Sequence, residues 1–264
     1  MPLATLADGA IHYERYGEGF PVVFISGLGG QGSAWQHQIV PFARAYTVVL
    51  HDHRGTGGSS RSLIDYSIAK LASDVIGLMD ALEIACAHVV GHSTGGAIAQ
   101  VLALDHPGRV AKLALVSTFA RSDPVLRLAL ELRRDILRAM GPEAYLRTTP
   151  FFIYPSWWLA ENPAVLEGYA ARGAASFPGV EIMSRKIEAV LAFDRAAELA
   201  RIRHPTLVIA ADNDALVAPR HGEELARLIP NARLALLARG GHTCKQTITA
   251  EFNRLLLGFL REGD

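Results

Sequence analysis

An α/β fold with a mostly parallel sheet covered by helices on both faces is what this sequence predicts, on three observations. Short apolar runs rich in β-branched residues recur along the chain, amphipathic helical patterns separate them, and a Gly-x-Ser-x-Gly turn joins one such run directly to a helix-like segment. Runs that are apolar at every position suit strands buried on both sides, and their alternation with helices at this rhythm suits a parallel sheet.

In chain order, Ile11-His12-Tyr13-Glu14-Arg15-Tyr16 alternates in polarity and is followed by Gly17-Glu18-Gly19, which predicts an antiparallel edge hairpin. Buried strands are predicted at Val22–Ile25, Thr47–Leu50, His88–Val90, Leu113–Val116, Thr206–Ile209 and Leu234–Leu237. Leu71, Val75, Leu78, Met79 and Leu82 recur at helical spacing, as do Phe252, Leu255, Leu256 and Phe259. Between about Phe119 and Ala200 the strand rhythm stops and several helices are predicted, with the aromatic cluster Phe151-Phe152-Ile153-Tyr154-Pro155-Ser156-Trp157-Trp158 among them. The layout is therefore a core of residues 1–118 and 201–264 with a helical cap, 119–200, inserted between two strands. Most of the cap aromatics are expected to be the cap's own core. At least one of Phe151, Tyr154, Trp157 and Trp158 is expected to line a substrate pocket.

The 264 residues, half of them hydrophobic, are enough for one large core. Lys+Arg and Asp+Glu both total 26, so no net field draws nucleic acid or an anionic membrane, and a small molecule is the expected ligand. The opening Met1-Pro2-Leu3-Ala4-Thr5 does not begin a basic-then-apolar export signal, no apolar run reaches membrane-spanning length, and a cytoplasmic location is expected. Cys86 and Cys244 alone make neither a disulfide framework nor a zinc cluster. Assembly as a homodimer is left open.

Gly91-His92-Ser93-Thr94-Gly95 carries the chemistry. A serine at the apex of so tight a strand-to-helix turn must take strained backbone angles, and small residues on either side let strand and helix approach. Its hydroxyl then stands above a helix N-terminus that favours negative charge. Serine is a poor nucleophile at neutral pH, so it needs an imidazole to take its proton and an acid to orient that imidazole. The loop after Thr206–Ile209 offers Asp212 and Asp214, and the loop after Leu234–Leu237 offers His242; both follow strand C-termini, where ligands bind in open α/β sheets. The order Ser, Asp, His is that of the α/β-hydrolases.

With Ser26-Gly27-Leu28-Gly29-Gly30 after one strand and Asp52-His53-Arg54-Gly55-Thr56-Gly57-Gly58-Ser59 after the next, the chain resembles the α/β-hydrolase superfamily over essentially its whole length. Within it, Gly27–Gly30, Phe151–Pro155 and Gly240-Gly241-His242-Thr243-Cys244 resemble the aminoacrylate hydrolases of pyrimidine utilisation. The resemblance implies an α/β-hydrolase fold with a helical cap and a triad of Ser93, Asp214 (favoured over Asp212) and His242. It also implies an oxyanion hole made by the amides of Leu28 and Thr94. Ser26 stands where many relatives have His, so a different brace is expected for that loop.

Other residues are read as structural. His51-Asp52-His53 gives too few ligands for a metal site, and Asp52 and Arg54 are expected to stabilise their loop. His92 is expected to pack or hydrogen-bond, Cys244 to be a small buried thiol, and Gly27–Gly30 has the wrong spacing for a dinucleotide fingerprint. No cofactor and no metal are expected. The expected activity is hydrolysis of a small carboxylic ester, lactone, thioester or activated amide or enamine through an acyl-enzyme. An acyltransferase or a carbon-carbon bond hydrolase would use the same triad, and a noncatalytic small-molecule receptor is the alternative of another class. Epoxide hydrolases and haloalkane dehalogenases carry Asp where Ser93 stands.

Overall fold

The strands lie in the order β1-β2-β4-β3-β5-β6-β7-β8. They span Leu3–Leu6 (β1), Gly9–Tyr16 (β2), Phe20–Ile25 (β3), Tyr46–His51 (β4), Ala87–His92 (β5), Val110–Val116 (β6), Thr206–Ala211 (β7) and Ala232–Leu237 (β8) in a computed structural model that describes residues 2–263. From β4 to β8 every pairing is parallel, while β1 and β2 run antiparallel at one edge.

That edge departs from the sequence reading. The hairpin joins β1 to β2 through Leu6↔Gly9, and β2 then pairs with β4, so the Gly17–Gly19 turn leads not to a neighbour but across β4 to β3. The turn signal at Asp8-Gly9, three residues upstream of the alternating run, decided the pairing.

Alternate residues of the central strands feed two cores, which is why their sequences are apolar throughout. Val23, Ile25, Val49, Val89, Leu113, Leu115 and Val208 face one way, against α2 (Ile68–Ala81) and α3 (Thr94–Asp105). Val22, Phe24, Val48, Leu50, Val90, Val116 and Ile209 face the other, against Phe42 of α1 (Gln36–Phe42) and, near the C-terminus, Phe252, Leu256 and Phe259. Each such fully buried side chain contributes roughly 1.5–3 kcal/mol.

Between β6 and β7 there is no strand of the sheet. The chain forms α4 (Pro124–Ile153), α5 (Ser156–Glu161), α6 (Pro163–Ala174) and α7 (Val180–Leu191). Asp123 caps α4 by accepting from the Leu126 amide at 2.8 Å, with Pro124 in the first turn. At Gly141, φ 83°, and the following Pro142, α4 breaks into two arms. The insertion leaves and rejoins the core through a paired neck, Arg121 bridging Asp194 and the Arg195 amide bonding Ala120 O at 3.2 Å. After β7 come α8 (Arg220–Leu228), the short α9 (Cys244–Thr247) and α10 (Thr249–Arg261). Among the described residues no helix is long and apolar enough to cross a membrane.

Candidate active site

Ser93 sits between the last residue of β5 and the first of α3 with φ 55° and ψ −121°. A non-glycine residue holds such angles only where its surroundings over-determine them. Here the Ser93 amide bonds Val116 O at 2.9 Å, and its carbonyl accepts from Thr118 Oγ1 at 2.7 Å and the Gly96 amide at 2.8 Å. A Cβ on Gly91 would lie 2.2 Å from Gly95 O, and one on Gly95 would lie 2.2 Å from Ile25 O. The two glycines of the motif are thus demanded by close backbone approach.

The loop after β3 is tied to itself by the Gly30 amide on Gly27 O at 2.8 Å and by Ser26 Oγ donating to Gln31 O at 2.5 Å. Ser26 is the different brace that the sequence required. Thr94 opens α3, where helix geometry leaves the amide without an intrahelical acceptor. Leu28 and Thr94 both border the cavity that Ser93 enters.

It is Asp214, and not the exposed Asp212, that meets the histidine. The His242 Nδ1–H donates to Asp214 Oδ2 at 3.0 Å, and the amides of Leu216 and Val217 donate to Oδ1 at 3.0 and 2.9 Å. Asp214 and His242 are both buried, and Asn213 Oδ1 accepts from the Gly241 amide at 2.9 Å, fixing the loop that presents His242. His92 is also buried, which pushes its imidazole well below the usual range, and its neutral ring donates from Nε2 to the backbone carbonyl of His242 at 2.8 Å.

Ser93 and His242 line one cavity of about 370 Å³, walled on one side by the strand-end loops and on the other by the cap. Of the four cap aromatics, Tyr154 borders it and bonds Gln246 Oε1 from its hydroxyl at 2.9 Å. The other three do not. Phe151 lies on the outer side of α4 and is 78% exposed; Trp158 stacks behind Tyr154 with ring centres 4.5 Å apart; Trp157 lies under the Arg239 guanidinium, 5.1 Å from its ring. A contiguous aromatic run on a helix end cannot turn every ring the same way.

The cavity also recruits Arg133, Tyr145, Tyr169 and Lys245, which the sequence reading missed. Arg133 left a signal: it falls in the apolar stripe Leu126, Leu130, Leu137 of α4, where a charge has no structural reason to be.

Asp52 and Arg54 hold the loop after β4. Asp52 accepts from the amides of Gly32 and Gly58, both at 2.9 Å, and pairs with His12 at 3.0 Å, while buried Arg54 grips Asp74 and Asp8. Cys244 is buried, which pushes its thiol up to about 12.

Comparison with known proteins agrees with this architecture. A family profile described as alpha/beta hydrolase fold matches residues 21–151. The chain is 44% identical, over 100% of both sequences, to a protein of Azorhizobium caulinodans named as a candidate carbamate hydrolase, RutD. It superposes on the enol-lactonase of Burkholderia xenovorans LB400 with a TM-score of 0.91 at 29% identity, covering 99% of this chain and 100% of that one. It also superposes on Est816, an N-acyl homoserine lactone degrading enzyme, with a TM-score of 0.85 at 30% identity, covering 98% and 100%.

Proposed function

The chain belongs to the α/β-hydrolase family and is a hydrolase of that fold, and from this premise we propose that it is a cofactor-independent serine hydrolase acting on a small activated acyl compound. The observation that carries the reading is the convergence of a strained Ser93, at the head of α3, with His242 in one cavity, His242 being oriented by buried Asp214.

Ser93 Oγ bonds to the substrate carbonyl carbon as its proton passes to His242 Nε2. Asp214 holds the tautomer that leaves Nε2 free and stabilises the imidazolium. The amides of Leu28 and Thr94 receive the developing oxyanion. Collapse of the tetrahedral species breaks the bond to the leaving group, which takes the proton from His242. Water then attacks the acyl-enzyme, gives its proton to His242, and releases the carboxylic acid with Ser93 restored.

Lactone-acting neighbours and a relative named for carbamate hydrolysis share one feature, a carbonyl bearing an oxygen or nitrogen leaving group. Small esters, lactones, thioesters and activated amides or enamines form the substrate class proposed here. The test is labelling of Ser93 by a fluorophosphonate, read by peptide mass, beside turnover of a panel of small esters, lactones, carbamates and acyl-enamines. Labelling with turnover supports the reading; an unlabelled Ser93 in an active enzyme rejects it.

A further inference from the structure

Lys186, on α7 of the cap, is 1% exposed, and its side chain ends against two loops of the α/β core. Its Nζ donates to Thr56 Oγ1 at 2.7 Å, faces Arg54 O at 3.5 Å, and lies 3.0 Å from the point where a Cβ on Gly30 would stand. Asp52, the acid whose charge reaches it, already accepts from the amides of Gly32 and Gly58 and pairs with His12, and burial lowers the amine to about 7. Burying an amine without a paired carboxylate is costly. A methionine would fill the same space without that cost, so packing alone does not account for a lysine here.

One of those loops is Gly27-Leu28-Gly29-Gly30, a four-residue turn closed by the Gly30 amide on Gly27 O at 2.8 Å. Leu28 is its second residue, and the Leu28 amide takes no part in the closing bond, so its direction follows from how the two ends of the turn are seated. A Cβ on Gly27 would lie 3.3 Å from both Ser93 Cβ and His92 Nδ1, so that end rests on the nucleophile elbow. At the other end Gly30 holds φ 74°, and its carbonyl accepts from the His53 amide at 2.7 Å. The space beside its Cα is taken by His53, 2.8 Å from an added Cβ, and by Lys186. The elbow belongs to the core, whereas Lys186 is supplied by the cap.

We propose that Lys186 is a positioning residue for the oxyanion hole: by seating Gly30 it sets the direction of the Leu28 amide, so that docking of the cap and completion of the hole are one event. This rests on the serine-hydrolase reading for the role of that amide. The cap is tied to the core by other bonds, Arg185 Nη1 to Ile64 O at 3.2 Å, Arg61 to the carbonyls of Ala175 and Phe177 at 3.4 Å, and the neck at Arg121 and Asp194. Among these ties, what Lys186 adds is contact with the turn, and Thr56 Oγ1 holds its amine in place there.

The test compares wild type, Lys186→Met and Lys186→Arg in three ways: steady-state kinetics on small neutral esters, the rate at which a fluorophosphonate labels Ser93, and hydrogen exchange of the Gly30 and His53 amides. Lys186→Met is expected to lower kcat and the labelling rate by about 10- to 100-fold with KM within about 2-fold, since displacing an oxyanion donor acts on the transition state. Exchange of the two amides is expected to rise by about 10-fold while that of α4 and α7 stays as in wild type. Lys186→Arg, which keeps a donor for Thr56, is expected to recover part of each. A higher KM with kcat and labelling kept, or exchange raised across the whole cap, would make Lys186 a cap strut and overturn the proposal. Should Lys186→Met not fold, Thr56→Val, which removes the amine's acceptor and nearly keeps the shape, is expected to show the same losses in smaller measure; unchanged kinetics and exchange there overturn it. Should wild type neither label nor turn over any ester, the serine reading fails by itself, and exchange decides whether Lys186 seats the turn: a rise confined to Gly30 and His53 upholds the seating, and unchanged protection in Lys186→Met rejects it.

Discussion

The ring of His92 holds the backbone of His242: Nε2 donates to the His242 carbonyl at 2.8 Å, and the two rings lie 4.8 Å apart. In the serine mechanism proposed above, the residue preceding the nucleophile therefore positions the base that would activate it. Misplacement of about 1 Å in such a constellation can cost about 10² in rate. His92→Phe is expected to lower kcat by roughly 10- to 100-fold with KM little changed, and His92→Gln, which can still donate, to recover part of it. Steady-state kinetics check this; an unchanged kcat in His92→Phe would assign the ring to packing alone.

Ser93→Ala is expected to lower turnover by on the order of 10⁶, because members of a triad act as a unit. A thermal melt should show the fold intact, since the substitution removes one hydroxyl and leaves the backbone bonds that hold residue 93 in place. Retention of a tenth of the activity would point to direct attack by water.

Asp214→Asn is expected to cost about 10⁴ in kcat by favouring the wrong tautomer of His242, and Asp212→Asn far less. The reverse ranking would move the acid to Asp212, against the 3.0 Å bond from His242.

Tyr154→Ala is expected to change the ranking of substrates by kcat/KM by roughly 10-fold, since it removes a large contact from the cavity wall, whereas Phe151→Ala on the outer face should leave the ranking as it was. Parallel kinetics on both variants distinguish wall from surface.

Stability is expected to rise with pH. Burial pushes His51 down to about 4 and His53 and His92 well below the usual imidazole range. Unfolded imidazoles titrate near about 6.5, so as pH falls below that value the unfolded chain binds protons that the folded chain refuses, and stability is lost. Burial also lowers Lys186 to about 7 and Lys245 to about 8. Between those values and the unfolded lysine value of about 10.4, the folded chain again carries fewer protons, and stability climbs further. Calorimetric Tm should increase from pH 5 to 9, and Lys186→Met should flatten the part above pH 7. A Tm falling across pH 7 to 9 in wild type contradicts this.

What the sequence revealed and what it hid have a common physical cause. Val22–Ile25 or Thr206–Ile209 are readable because a strand buried on both faces must be apolar at every position, and Asp214 is readable because it follows such a strand directly; the strand before His242, β8, reads as buried too, but it lies at the sheet edge with Leu234 and Leu236 exposed. The pairing of β2 with β4 instead of β3 was not readable, since alternation in Ile11–Tyr16 names a face and not a neighbour. The cap was harder still. Which side of α4 meets the cavity depends on how its arms fold at Gly141, a tertiary fact that brings Arg133 inward and leaves Phe151 outside.

The neck at Arg121 and Asp194 bears on how such an enzyme changes over time. Because the insertion is closed where it leaves the core, its interior is a loop whose ends are already joined, and lengthening or shortening it costs only about 0.6 kcal/mol per doubling. Ser93, Asp214 and His242 all lie outside that closure in the chain. Selection can therefore remodel the chamber wall, helix by helix, without repaying the strain of the elbow or resetting the register of the sheet beneath it. One part of the molecule is free to explore new ligands while the rest conserves its chemistry.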